Sequence, residues 1–184
     1  MSILETLDEK ILQVYEKVNH YCYKGFGTDK YDLAQKADVA ASITQTGAGT
    51  YMCIDGFSNQ SHLWGIIWGV MGIGLAFSGL NRLLYSKGKN NNLKEKELEQ
   101  IRTGSYKHVY KSSRPIWMAY GATTTGLFGA YLPNENNQNV LTFALALTCF
   151  GLFKLVEQSA SYFRDCSMPL SKENKSNETI EDKF

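Results

Sequence analysis

The sequence predicts an all-α, helical integral membrane protein with four transmembrane helices, an N-terminal amphipathic helix and a polar helical connector. Two charge-poor segments support this prediction. Residues 56–81 contain no Lys, Arg, Asp or Glu, and residues 115–153 contain one, Glu135. A helix crosses the hydrocarbon of a bilayer with about 20 apolar residues. The first segment can therefore supply one span, and the second can supply two.

Charge is concentrated outside these segments. The 19 basic and 18 acidic residues lie almost entirely in residues 1–36, in residues 82–114 and in the chain after Glu157. A soluble helical protein with two buried hairpins is the alternative, but such a core rarely needs charge-free runs of this length. No cluster of basic residues interleaved with aromatic residues indicates a nucleic-acid surface, so we expect no nucleic-acid partner.

Residues 1–24 form the predicted amphipathic helix. Its apolar residues recur at alternating intervals of three and four, and they are Leu4, Leu7, Ile11, Val14 and Val18. This heptad spacing predicts a seam for a partner helix, although a helix that packs on its own bundle or lies on a membrane surface has the same pattern. Gly25 and Gly27 break the helix, and Thr28 is the predicted N-cap of the next one.

The first membrane hairpin is predicted over residues 25–81, with spans at about 39–54 and 62–80. The first span is weak, because its many Ala, Ser, Thr and Gly residues suit a membrane only where they face other helices. If it does not cross, three spans remain. The second span contains Gly65, Gly69 and Gly72, whose spacing predicts close packing against a neighbouring helix.

Residues 82–114 form the predicted connector, with nine basic residues against three acidic ones. Within it we expect a loop over residues 86–92. The second membrane hairpin follows over residues 115–166, with spans at about 116–132 and 139–156. Gly121, Gly126 and Gly129 are its predicted helix-packing residues. Residues 167–184 lack apolar periodicity and are predicted to be disordered.

The distribution of basic residues predicts the orientation. Lys and Arg in short loops stay on the cytoplasmic or matrix side of a membrane. The connector and the C-terminus are therefore placed on that side, and the two hairpin loops, which contain no basic residue, on the other. We expect the cytoplasmic membrane of a bacterium or archaeon, or the inner membrane of an organelle.

No set of residues in the sequence indicates catalysis, a metal or a cofactor, and we expect none of the three. Three carboxylates near one membrane face (Asp29, Asp32 and Asp38) could hold Mg²⁺ in an interfacial enzyme, but helix capping explains them more simply. Lys154 and Glu157 have the spacing of an i,i+3 ion pair.

These observations favour a non-catalytic structural or accessory subunit of a membrane assembly, built by small-residue helix packing. Its expected partners are the lipid bilayer and other membrane protein subunits or further copies of the chain. The alternative is a homo-oligomeric pore or small-solute channel, lined by Thr44, Thr46, Thr123 and Thr125. Hydroxyl groups in membrane helices more often bond the preceding turn of their own helix or a neighbouring helix.

Overall fold

Nearly all of the residues that the structure describes are helical. The structure is a computed structural model, and it describes residues 3–58, 63–102, 111, 113–132 and 137–166. These residues form five α-helices: α1 (Ile3–Phe26), α2 (Lys30–Ser58), α3 (Leu63–Arg102), α4 (Ser113–Tyr131) and α5 (Gln138–Asp165). The predicted all-α class is confirmed. The predicted disordered tail, residues 167–184, lies outside the described residues.

Four of the helices stand in a row in the order α3, α2, α5, α4. Neighbours in the row run antiparallel, so α2 with α3 and α4 with α5 form two hairpins that meet through α2 and α5. The amphipathic helix α1 packs against α4 and α5, with a smaller contact to α2. Its contacts fall at the start of α4, near Arg114, and at the end of α5, between Ser159 and Cys166.

Two helices in the described ranges are long and apolar enough to cross a membrane. The segments that qualify are Gly65–Ser86 in α3 and Val140–Asp165 in α5, with 17% and 22% of their most apolar windows buried. They include nearly all of the predicted spans 62–80 and 139–156 and extend further toward the connector and the C-terminus. The predicted spans in α2 and α4 are not among the qualifying segments, so length and composition support two of the four predicted spans.

The predicted loop over residues 86–92 was wrong, because α3 continues without a break to Arg102. One polar residue of this run is held by a tertiary contact. Asn90 is buried, and its Nδ2 donates hydrogen bonds to Asp38 Oδ2 (3.0 Å) and to the carbonyl of Ser86 (3.0 Å). Residues 103–110 and 112 of the connector lie outside the described residues.

The turn between α1 and α2 forms at the predicted glycines but uses a different cap. Gly27 has a φ of 65°, a left-handed conformation that glycine adopts easily, and it ends α1. The N-cap of α2 is Asp29 rather than Thr28. The Asp29 carboxylate accepts hydrogen bonds from the backbone N–H groups of Tyr31 (2.8 Å) and Asp32 (2.9 Å), which have no partner within the helix.

Candidate functional site

In the first hairpin, the backbones of α2 and α3 are in direct contact at glycine residues. A Cβ added at Gly72 would lie 2.6 Å from the carbonyl oxygen of Gly49 and 2.7 Å from the amide nitrogen of Cys53. A Cβ added at Gly56 would lie 2.5 Å from the carbonyl oxygen of Gly65. Such distances leave no room for a side chain, so glycine allows α2 and α3 to approach this closely.

The second hairpin has one contact of the same kind. A Cβ added at Gly121 would lie 2.7 Å from the carbonyl oxygen of Gly151, and one added at Gly151 would lie 2.6 Å from Thr125 Oγ1. Sequence reasoning did not single out Gly151. The available signal was a lone glycine in an apolar helical segment, which by itself does not say which face of the helix it occupies.

The structure distributes the predicted packing glycines among three environments. Gly65, Gly69, Gly72 and Gly121 lie in backbone contacts between helices, and a Cβ at Gly69 would in addition lie 3.0 Å from the ring of Phe57. A Cβ at Gly129 would make only an ordinary contact, 3.8 Å from Thr148 Cγ2, and one at Gly126 would meet nothing within 4 Å.

The two helices at the ends of the row differ in their outward faces. The outward face of α3 carries large apolar side chains that are all exposed, namely Ile66, Val70, Ile73, Phe77 and Leu80. The outward face of α4 has a strip of small residues that are also exposed, beside the exposed large residues Ile116, Tyr120 and Leu127. The small residues are Ala119, Ala122, Thr123, Gly126 and Ala130. Gly126 therefore lies at the centre of a small-residue face that no other described part of the chain covers.

Asp38 lies nearer the start of α2 than the glycine contacts do, and its carboxylate joins three helices. Its carboxylate accepts hydrogen bonds from Arg82 of α3 (3.0 Å), from Asn90 of α3 (3.0 Å) and from Arg164 of α5 (2.6 Å). Burial alone would raise the pKa of Asp38, but Arg164, Asn90 and Arg82 together hold it below its ordinary value. Asp38 is therefore a carboxylate that stays ionised and links α2, α3 and α5 at one level.

Arg82 extends this cluster to the predicted ion pair. Its second terminal nitrogen lies 2.6 Å from Glu157, and Glu157 also pairs with Lys154 at 3.0 Å. The predicted pair of Lys154 and Glu157 is thus confirmed, within a larger network than the sequence indicated. The Lys154 ammonium also lies 5.0 Å from the centre of the Trp117 ring, so this pair ties α5 to α4 as well.

A second buried ion pair lies nearer the start of α2. The side chain of Lys30 is fully buried, and its ammonium group donates to Glu97 of α3 (2.6 Å) and to the carbonyl of Cys166 (2.6 Å). The hydroxyl of Tyr31 donates to the other oxygen of Glu97. The C-terminal part of α3, which the sequence predicted as a polar connector, is therefore fixed to the bundle through a buried ion pair.

A third cluster holds α1. Asp8 is completely buried and accepts two hydrogen bonds from the Arg114 guanidinium (3.0 and 2.6 Å), one from Tyr162 (2.8 Å) and one from the backbone N–H of Lys111 (3.0 Å). Arg114 also donates to Asp165 (2.6 Å). Burial acts to raise the pKa of Asp8, but these donors outweigh it and the pKa is lowered.

The structure docks α1 on the bundle with a face other than the predicted seam. The buried residues of α1 are Asp8, Leu12 and Asn19, and Tyr15 stacks on Tyr162 at 5.0 Å. Four of the five seam residues are exposed, namely Leu4 (36%), Leu7 (44%), Val14 (58%) and Val18 (43%). The fifth, Ile11, is half-buried against the cluster of Leu12, Tyr162 and Cys166. Contact of the seam with a partner stays a prediction.

The four threonines of the predicted pore do not meet within one chain. Thr44 and Thr46 lie on α2 and donate to carbonyls of their own helix (3.0 and 2.8 Å). Thr123 is exposed on α4, whereas the Thr125 hydroxyl is buried beside Gly151. Because α5 separates α2 from α4 in the row, the two pairs line no common cavity in a single chain.

The three carboxylates of the interfacial-enzyme hypothesis are also occupied separately. Asp29 caps α2 and pairs with Lys94 (2.5 Å), and Asp32 accepts a weak bond from the backbone N–H of Asp29 (3.4 Å). Asp38 belongs to the cluster with Arg82 and Arg164. Within the described ranges, no group of three His, Cys, Asp or Glu side chains is arranged to hold a metal ion.

No protein-family model, curated protein or solved structure matches the chain. Its function is therefore inferred from its own geometry. That geometry combines two features. Backbone contacts through glycine fix the distance between helices, and buried ionic clusters fix the positions of the helices along their axes. Both are devices for holding helices in place.

Proposed function

We propose that this chain is a non-catalytic, multi-pass membrane protein that serves as a structural or accessory subunit of a membrane assembly. The observation behind the proposal is the difference between the two outward faces of the helix row. Large side chains on α3 suit contact with lipid, whereas the small residues around Gly126 on α4 suit close approach of another helix. One edge of the row would face lipid, and the other would receive a neighbouring subunit.

The packing supports four spans rather than two. The helix α2 lies between the two candidate spans and contacts both along its length. At one end, Thr142 of α5 donates to Asp55 (3.2 Å), and at the other, Arg164 of α5 pairs with Asp38 (2.6 Å). If α3 and α5 cross the membrane, α2 lies at the same depth, and its small polar residues face other helices as the weak span requires. The same reasoning places α4 beside α5.

The ionic clusters support the proposed orientation. Asp8, Lys30 and Asp38 all lie toward the connector end of the helices, and each is paired with a residue of opposite charge from a distant part of the sequence. Buried charges are tolerated more readily near the membrane boundary than at its centre. This end, which also has the basic connector, would face the cytoplasm or the matrix.

The test is the mass and composition of the particle extracted from its native membrane in mild detergent. We expect other polypeptides to co-purify with the wild-type chain. Gly126→Leu should release them, because a Cβ at Gly126 meets nothing within 4 Å in the described part of its own chain and the larger side chain would obstruct a neighbouring subunit.

Gly74→Leu is the matched control for this experiment. Gly74 is also an exposed helical glycine with nothing within 4 Å of an added Cβ, but it lies on the outward face of α3. This variant should keep the assembly intact. A wild-type particle containing one chain alone, or equal loss of partners in both variants, would contradict the proposal. A particle containing several copies of this chain alone would favour the pore.

A further inference from the structure

The helix α1 has an apolar face that the described part of the chain leaves uncovered. We define the α1 stripe as its exposed residues, namely Leu4, Leu7, Val14, Val18 and Tyr21. The side of α1 with Asp8, Leu12, Tyr15 and Asn19 packs on the bundle instead. Because successive residues turn by about 100° in a helix, the centres of these two sides are roughly a quarter to a third of a turn apart.

Charge is distributed unequally around the α1 stripe. Lys10, Lys17 and Lys24 are exposed and follow one another at intervals of seven residues, so they form one row along the flank of the stripe away from the bundle. Glu9 and Glu16 lie on the opposite side of the helix from the stripe. A surface that covers the stripe therefore meets lysine at its edge and does not meet these acidic residues.

The position of α1 along the bundle indicates what that surface is. Its packed face contacts Arg114 at the start of α4 and Ser159 and Tyr162 of α5. Ser159 and Tyr162 fall in the last two turns of the candidate span Val140–Asp165. The helix thus lies beside the end of a span, at the level where lipid headgroups are expected.

We propose that the α1 stripe lies in the headgroup region of an anionic membrane leaflet, with the lysine row bound to lipid phosphates. This inference rests on the membrane location in the proposed function and adds a lipid-binding surface to it. An interfacial helix of this kind buries its apolar face and draws further affinity from basic residues near anionic headgroups.

A second copy of this chain is a poorer occupant of the stripe. In an antiparallel pair of α1 helices, the lysine row of one would face the lysine row of the other. In a parallel pair, the lysines would face the side with Tyr15, which is already bonded to Ser159 of its own bundle (2.6 Å). An anionic surface satisfies the lysine row without either conflict.

The experiment uses the full chain in lipid nanodiscs, with a fluorescent amino acid placed at Val18 and, as the matched control, at His20. Both residues are exposed, and they lie on nearly opposite sides of α1. Nitroxide groups on the lipid acyl chains, close to the headgroups, serve as the quencher. In discs with about a quarter phosphatidylglycerol, we expect strong quenching at Val18 and little at His20.

The lysine row is tested by the variant with Lys10, Lys17 and Lys24 all changed to Gln. Each lysine near an anionic surface should increase the equilibrium constant for binding of the α1 stripe to lipid roughly fivefold. The triple variant should therefore lower that constant by about a hundredfold and reduce quenching at Val18. Discs of phosphatidylcholine alone should give the same reduction for the wild-type chain.

Two results would overturn the inference while leaving the membrane location intact. One is equal quenching at Val18 and His20, and the other is a photocrosslink from Val18 to another polypeptide, which would make the stripe a protein-binding surface. Resistance of the chain to an alkaline wash of native membranes is measured in parallel. Release by that wash would instead refute the membrane location on which the inference rests.

Discussion

The buried pair of Asp8 and Arg114 should control whether α1 stays on the bundle. Asp8→Asn keeps the size of the side chain and removes its charge. Arg114 is 2% exposed and would then retain a single carboxylate partner, Asp165. Breaking a buried ion pair from one side costs about 3–5 kcal/mol, and the remaining partner favours the lower end of that range. The backbone of α1 approaches the other helices less extensively than they approach one another, so most of this loss should appear as its detachment.

The assay is backbone hydrogen exchange of α1 in the detergent-solubilised chain. A loss of about 3 kcal/mol raises the population of the detached helix roughly a hundredfold, and exchange of the α1 amides should rise by the same factor. Amides in α2 and in the middle of α5 should change little, because Asp8 bonds α5 near its end, at Tyr162, and the contacts of Asp38 and Lys30 do not involve Asp8.

Asp165→Asn is the matched control, because it removes the other carboxylate on Arg114. Asp165 has 25% of its side chain exposed, and Arg114 would keep both hydrogen bonds to Asp8, so the expected cost is about 1 kcal/mol or less. Equal exchange in Asp8→Asn and Asp165→Asn would refute the reasoning. Replacing both buried partners, with Asp8→Leu and Arg114→Met, should cost less than Asp8→Leu alone, because the double variant no longer buries a guanidinium that has lost its main carboxylate partner.

Three further predictions concern the bundle itself. Gly72→Ala should lower the denaturation temperature in detergent, because its Cβ would strike the backbone of α2, whereas Gly74→Ala has open space and should not. The lowered pKa of Asp38 means that its contribution to stability is fully present above its ordinary value of 3.8 and is lost as the pH falls further. Acid titration of Asp38→Asn should therefore lack that part of the pH dependence. Lys30→Met should destabilise the chain by about 3 kcal/mol in denaturant titration, and adding Glu97→Gln should recover part of the loss.

The sequence predicted the features that depend on composition along a single helix. The charge-free runs located the two most apolar spans, and Gly25 and Gly27 located the break after α1. It did not predict that α3 continues through residues 86–92, because a run of Lys, Gly and Asn favours a loop until a partner is known. That partner is Asp38, which accepts a hydrogen bond from Asn90 across 52 positions of sequence.

The face that α1 turns to the bundle was missed for the same physical reason. Apolar periodicity identifies the side of a helix that avoids water, but it does not distinguish burial in protein from burial in lipid. The face that packs includes Asp8 and Asn19, which look like solvent-facing residues in the sequence. Asp8 becomes a suitable core residue only beside Arg114, which lies 106 positions away.

The glycine contacts and the ionic clusters stabilise different degrees of freedom in the bundle. In the proposed membrane location, apolar side chains would gain little by meeting one another rather than lipid, so close backbone contact at Gly72 and Gly121 would favour association there. Glycine contacts of this kind constrain the distance between two helices more strongly than the shift of one helix along the axis of the other. Asp38 supplies the missing constraint, because its carboxylate reaches Arg82, Asn90 and Arg164 together only when α2, α3 and α5 stand at one height. The proposed subunit-binding face on α4 depends on this constraint, since a shift of α5 would move α4 and its small-residue face with it.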